Sequence, residues 1–201
     1  RHSKSSLSLS KRTLVILKPD AIQRGIMGDI IDRFEKRGLK IIGAKMFKPS
    51  EDLLNKHYPG DRDELVVGIG QRTLDGYKDL GLDVKKQFGH EDPIKIGHEV
   101  RSWLVDFMKS GPVFAMVIEG PNAIAIVRKI RGNTEPMRAE VGTITGDLSF
   151  DSSAFANAQA RPIRNLVHAS GNKEEAEFEV GLWFSESELF EYETVHQSSM
   201  I

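Results

Sequence analysis

The chain has 201 residues, 39% of them apolar, no cysteine and a formal net charge of −1. Such a composition supports one packed domain with room for an insertion, and it excludes a disordered chain, a disulfide framework and a thiolate metal site. The near-neutral charge does not predict a nucleic-acid surface, and no apolar run approaches the ~20 residues of a membrane span.

Residues 1–10 (RHSKSSLSLS) are polar and Ser-rich. They are expected to be a disordered tail ahead of a domain covering 11–201. Arg12 to Leu17 is a β-branched, apolar run stopped by Lys18-Pro19-Asp20, which predicts a buried strand. Ile30, Ile31 and Phe34 have helical spacing, so Gly28 to Arg37 is predicted as a helix with Gly38 as its C-cap. Leu39 to Phe47 returns to strand character. A mostly helical insertion is expected at about 60–99 (Gly60 to Glu99), with weak periodicity over Leu65 to Leu80 and a helix start at Asp92-Pro93 before Val100 to Met108.

Pro112 to Glu119 predicts the third strand, and a helix over Ala123 to Lys129 stops near Gly132. Gly132 to Pro162 reads as a long polar loop, a kind of segment that often carries function. Ile163 to His168 predicts a short fourth strand. Lys173 to Phe184 is expected as a helix with acids in its first turn, where the macrodipole favours them. The order gives an α+β fold: a ferredoxin-like β-α-β-β-α-β sandwich with an antiparallel four-stranded sheet, plus the helical insertion.

Chemistry concentrates around His168. A histidine at the end of a buried strand, beside Ala169 and Ser170, is open to attack a phosphorus atom, and neutral imidazole is a good nucleophile near neutral pH. Its other ring nitrogen needs an acceptor, and Glu179 on the next helix is available. Read alone, such a histidine is more often a structural residue. A regular strand would also put Asn165 and His168 on opposite faces, so the backbone must bend if both serve one site.

Asn165-Leu166-Val167-His168-Ala169-Ser170 resembles the active-site signature of nucleoside diphosphate kinases. Further similarity follows in the family's order: Thr13 to Asp20 (TLVILKPD), Gln23-Arg24-Gly25, Leu53 to Tyr58 (LLNKHY), Ser110-Gly111-Pro112, Gly142-Thr143-Ile144 and Gly181 to Phe184 (GLWF). The resemblance implies transfer of the terminal phosphoryl group of a nucleoside triphosphate to a nucleoside diphosphate, by a ping-pong route through phosphohistidine at Nδ1 of His168. It further implies that Glu179 holds the second ring nitrogen and that Ser170 bonds to Glu179. By the same resemblance, Lys18 and Asn165 hold the sugar hydroxyls, with Lys18 also at the phosphates, and Tyr58 lies beside Lys18. Arg128 and Thr134 bind the distal phosphates with Mg²⁺. The metal is expected with the nucleotide, because the six histidines are scattered and no clustered ligand motif is present. The absence of cysteine fits a reducing cytoplasm, and the resemblance implies a homo-oligomer, hexamer or tetramer.

Three positions depart from the family pattern. Gly171 stands where the signature usually has Asp. Thr145 stands where a phosphate-binding Arg is usual, leaving Arg131 or Arg138 to replace it and Thr145→Arg to raise activity if neither does. Val100 falls at the place of the base-stacking aromatic, with Trp103 or Phe107 as substitutes, or as helical core. The insertion is a lid, an oligomer contact or a decoration. The competing functional reading is a nucleotide-binding or regulatory module with reduced catalysis. An RNA-binding domain of this fold would want exposed sheet aromatics, and the strands here are aliphatic.

Overall fold

Strand β1 (Ser10–Leu17) is followed by α1 (Pro19–Gln23), α2 (Met27–Lys36) and β2 (Lys40–Phe47). The computed structural model describes residues 10–195 and Ser199, so the expected tail lies, apart from Ser10, outside the described residues. Four helices come next: α3 (Glu51–His57), α4 (Asp63–Asp79), α5 (Val84–Phe88) and α6 (Pro93–Lys109). The second half runs β3 (Val113–Pro121), α7 (Ala123–Arg131), α8 (Ile144–Leu148), α9 (Ser153–Ala158), β4 (Val167–Ala169) and α10 (Lys173–Trp183). The sheet order is β2-β3-β1-β4 and every pairing is antiparallel. This is the ferredoxin-like arrangement, with α2 and α7 as the crossover helices.

The apolar run of β1 is continuous because the sheet is covered on both faces. Successive strand side chains point to opposite sides. Val15 and Leu17 pack against Ile30 and Phe34 of α2 and Val127 of α7. Leu14 and Ile16 pack against Leu54 of α3, Val105 and Met108 of α6, and Val180 and Trp183 of α10. All four β1 residues are fully buried. At roughly 25 cal/mol per Å² of apolar surface, each such side chain contributes about 1.5–3 kcal/mol of transfer free energy.

The helix predicted over Gly28 to Arg37 is α2, which ends one residue earlier; Gly38 follows with φ +81 and donates its N–H to Glu35 O. The expected insertion consists of α4, α5 and the first part of α6. It has a small core of its own, from Tyr77, Val84, Phe88 and Ile96 with Leu74, Val100 and Trp103 against it. The α4–α6 contact needs glycine: a Cβ on Gly70 would lie 1.8 Å from Pro93 O, and one on Gly97 would lie 2.0 Å from Val66 O. Asp92 caps α6 by accepting from the Ile94 N–H, with Pro93 at the first helical position.

The expected strand Ile163 to His168 is reduced to Val167–Ala169. Leu166 has φ +70, a left-handed conformation that cannot continue a strand, and residues 163–165 run as loop. The long polar stretch before it contains α8, α9 and a 3₁₀ turn at Pro136–Arg138. Among the described residues, no helix is long and apolar enough to cross a membrane.

Candidate active site

His168 sits in β4 directly opposite Ile16 of β1. The middle of α10 brings Glu179 beside its ring. His168 Nε2 lies 3.0 Å from Glu179 Oε2 and 3.1 Å from Oε1. A carboxylate only accepts, so Nε2 carries the ring proton and Nδ1 presents its lone pair. Nδ1 has no hydrogen-bond partner among the described residues, and the side chain is 19% exposed, enough for a ligand to reach it. Ser170 Oγ donates to Glu179 Oε2 at 2.6 Å and accepts the Leu14 N–H at 3.3 Å, which ties the carboxylate to β1. Burial opposes ionisation of Glu179, but His168 and the Ser170 hydroxyl outweigh it and hold the carboxyl below its ordinary range.

A second histidine, not singled out in the sequence, packs on the first. His57 ends α3, and its ring centroid is 4.6 Å from that of His168 in an edge-on arrangement. Trp183 Nε1 donates to His57 Nδ1 at 3.2 Å, so His57 carries its proton on Nε2, which has no partner. Burial, then the neighbouring His168, push the His57 pKa down to about 3. The 3.8 Å approach of its Nδ1 to Glu179 is therefore not an ion pair. The signal in the sequence was only a histidine beside Tyr58; that ring lies 4.3 Å from His57 and 6.4 Å from His168, centroid to centroid. His57, His168 and Glu179 offer ligand atoms all within 4.8 Å of one another. Trp183 and the His168–Glu179 bond already engage these atoms, and two nitrogens with one carboxylate do not suit Mg²⁺, which wants oxygen ligands.

On the other side of His168 a chain of polar contacts joins four predicted or considered residues. Lys18 Nζ donates to Asn165 Oδ1 at 2.7 Å, and Asn165 Nδ2 donates to Thr134 O at 2.8 Å. Arg131 Nη2 donates to Thr134 Oγ1 at 3.0 Å, and its Nε to Val167 O at 3.2 Å. The bend required between Asn165 and His168 is located at Leu166. Its N–H is held by Asp20 Oδ2 at 3.0 Å, and its carbonyl accepts the Lys18 N–H at 2.8 Å. Asp20 is thus a second residue whose part sequence reading missed. Burial lowers the Lys18 pKa to about 8, with Asp20 opposing that shift and Arg131 adding to it.

Other predicted residues lie differently. Arg128, one turn before Arg131 on α7, is exposed, and its side chain makes no hydrogen bond or ion pair among the described residues. Thr145 is fully buried on α8, and its hydroxyl has no partner. Arg138 points away from the site and pairs with Asp79 at the end of α4. Trp103 stacks on Phe88 at 5.7 Å and 25°, and Val100 packs in the same small core, so Trp103 serves the insertion as helical core. At Gly171 the N–H donates to Glu175 Oε2 at 2.7 Å, and a Cβ there would lie 2.5 Å from that oxygen. A side chain at 171 would displace Glu175.

Fold and site together define a class: a ferredoxin-like domain that presents one oriented imidazole beside the buried cations Lys18 and Arg131. The family model for nucleoside diphosphate kinase matches residues 11–66 and 95–189, and the chain belongs to that family. The unmatched stretch between them contains most of α4, all of α5 and the start of α6. A nucleoside diphosphate kinase of Pyrobaculum aerophilum is 45% identical over 181 residues, covering 90% of this chain and 98% of the relative. A solved NDP kinase from the same organism superimposes with a TM-score of 0.86 at 44% identity, covering 90% of this chain and all of that one. The nucleoside diphosphate kinase of Borrelia burgdorferi, solved as a transition-state mimic with vanadate and ADP, gives 0.75 at 35% identity, over 96% and 97%.

Proposed function

We propose that this chain passes the terminal phosphoryl group of a nucleoside triphosphate to a nucleoside diphosphate through phosphohistidine at Nδ1 of His168. The observation that carries the reading is the His168–Glu179 pair: Nε2 is anchored at 3.0 Å, and Nδ1 has no hydrogen-bond partner among the described residues. In the first half-reaction the Nδ1 lone pair bonds to the γ-phosphorus and the bond to the β-phosphate oxygen breaks, releasing the diphosphate. The ring gains positive charge, and the Glu179 carboxylate stabilises it without taking its proton. The second half-reaction reverses these bonds onto a new diphosphate. Phosphoryl transfer depends mainly on positioning and charge neutralisation, which suits a site with few groups touching the phosphorus.

Lys18 and Asn165, already bonded to each other, hold the sugar hydroxyls and the near phosphate. Thr134 and Arg128 take the distal phosphates, with Arg128 turning in from its exposed position. Tyr58 borders the nucleotide. Mg²⁺ would arrive with the nucleotide, held mainly by phosphate and water oxygens beside Arg128 and Thr134, and would supply neutralisation of phosphate charge. The relative that holds vanadate and ADP supports the same chemistry here. The working form is a homo-oligomer in the cytoplasm. Incubation with γ-labelled ATP should give an acid-labile, base-stable phosphoprotein and free ADP. His168→Asn should give neither, and nucleotide exchange that persists in that variant rejects the mechanism.

A further inference from the structure

Arg131 is a buried cation without an anion. Its residue exposure is 7%, and its two protein partners, Thr134 Oγ1 and Val167 O, are both neutral. No carboxylate lies within ion-pair distance among the described residues. Arg12, Arg33, Arg138 and Arg161, all more exposed, each have an acidic partner. Burying a charge without a counter-charge costs several kcal/mol, and a fold normally answers it with an ion pair.

The neighbours deepen the imbalance. Lys18 is also buried, and among the described residues its side chain's one hydrogen-bond partner is the neutral Asn165. Arg128 and Arg131 are on the same helix, and each cation disfavours its neighbour: Arg128 acts on Arg131, and Arg131 on Lys18. Asp20 offsets part of this at Lys18, with one oxygen committed to the Leu166 N–H. The surroundings of His168 are therefore built with surplus positive charge.

We infer that Arg131 is a phosphate-binding residue of this site, its guanidinium taking the anionic end of the nucleotide together with Lys18 and Thr134. The inference rests on the nucleotide reading above. Its geometry fits the role. Nε and Nη2 fix the plane of the guanidinium against Val167, the residue before His168, and against Thr134. Nη1 has no partner among the described residues and keeps its donors for phosphate oxygens, which a rigid fork binds better than a point charge does. The rival reading is a staple that joins α7 to β4, and it predicts no dependence on the ligand's charge.

The test compares binding of ADP and of adenosine by calorimetry in the wild type, Arg131→Met and Arg131→Lys. Loss of a charged hydrogen bond to phosphate should weaken ADP by about 10- to 150-fold in Arg131→Met while adenosine is unchanged. Arg131→Lys keeps the charge without the fork and should lose less. If Arg131→Met does not fold, the ADP-to-adenosine affinity ratio in Arg131→Lys decides. A ratio equal to that of the wild type overturns the inference. Phosphoprotein formation in the wild type, measured alongside, separates the two claims: a selective ADP loss without any phosphoenzyme would leave Arg131 as a phosphate ligand and remove the transferase reading.

Discussion

Asp20 Oδ2 accepts the Leu166 N–H at 3.0 Å across 146 positions of sequence, and Leu166 is the residue held at φ +70. A branched side chain in the left-handed region costs about 1–3 kcal/mol and persists only where its surroundings over-determine it. Here the surroundings are Asp20, the Lys18 N–H on the Leu166 carbonyl and the first core around the Leu166 side chain. The bend they impose lets Asn165 face Lys18 while His168 faces Glu179.

Asp20 is accordingly a positioning residue. Asp20→Ala leaves a buried N–H unpaired, a loss of about 1–3 kcal/mol of stability, and releases the bend. Turnover should fall further than the KM for nucleotide rises, because the nucleophile is misplaced while most phosphate contacts remain. Asp20→Asn keeps an acceptor and should restore most of kcat. Steady-state kinetics with thermal melts decide between the two roles: an Asp20→Ala protein of lowered Tm but unchanged kcat makes Asp20 structural only.

The strands and both crossover helices were legible in the sequence because their signals are local: β-branched runs, helical spacing of Ile30 and Phe34, and glycine after the helix end. The start of α6 was legible for the same reason, through Asp92-Pro93. The start of β4 was not. Its length depends on Leu166, whose conformation is fixed by a carboxylate far away in sequence. His57 was hidden in the same way, since a histidine at a helix end becomes part of the site only through its contacts with Trp183 and His168, both far away in sequence. Arg131 could be named but not chosen over Arg138, because what separates them is burial and the partner Asp79.

Glu179 acts through the ring it orients. Glu179→Gln keeps an acceptor for Nε2 but removes the charge that stabilises the phosphorylated ring, and it allows the wrong tautomer by donating from its amide. Turnover should drop by about 2–4 kcal/mol, or roughly 30- to 1000-fold, with nucleotide affinity retained. Rapid-quench measurement of the phosphorylation step checks this directly; an unchanged rate with only a lowered Tm confines Glu179 to a structural role.

His57 makes the stability of the protein depend on pH. Its folded pKa is depressed to about 3, from an ordinary value of 6.5. The unfolded chain takes up a proton as pH falls below 6.5, and the folded chain does not until about 3. Stability from this group is therefore fully present above pH 6.5 and declines as pH falls toward 3, by at most about 1.4 kcal/mol per pH unit. Urea unfolding at pH 7, 6 and 5 should show the decline in the wild type and a flatter profile in His57→Gln. The same slope in both proteins would show that His57 is not buried as a neutral ring.

Thr145→Arg tests how the site obtains its positive charge. The family pattern favours arginine at this position, and from sequence alone the substitution is a repair unless Arg131 or Arg138 already fills the space. The surroundings of Thr145 favour the second outcome. Thr145 is fully buried within α8, its hydroxyl has no partner, and the next residue, Gly146, is so close to Glu140 O that an added Cβ would lie at 2.1 Å. Thr145 is 0% exposed, so a guanidinium there would have to displace its neighbours. Overpacking alone costs about 1–3 kcal/mol, and an unpaired buried charge costs more. The new charge would also add to Arg131, Arg128 and Lys18 if it did reach the pocket. Thr145→Arg should therefore lower Tm and leave kcat/KM for nucleotide diphosphate no higher than in the wild type. Thr145→Val, which removes only the unpaired hydroxyl at nearly constant shape, should be neutral or stabilising. A rise in kcat/KM for Thr145→Arg at unchanged Tm would mean that position 145 opens into the pocket and that Arg131 does not fill the phosphate-binding role.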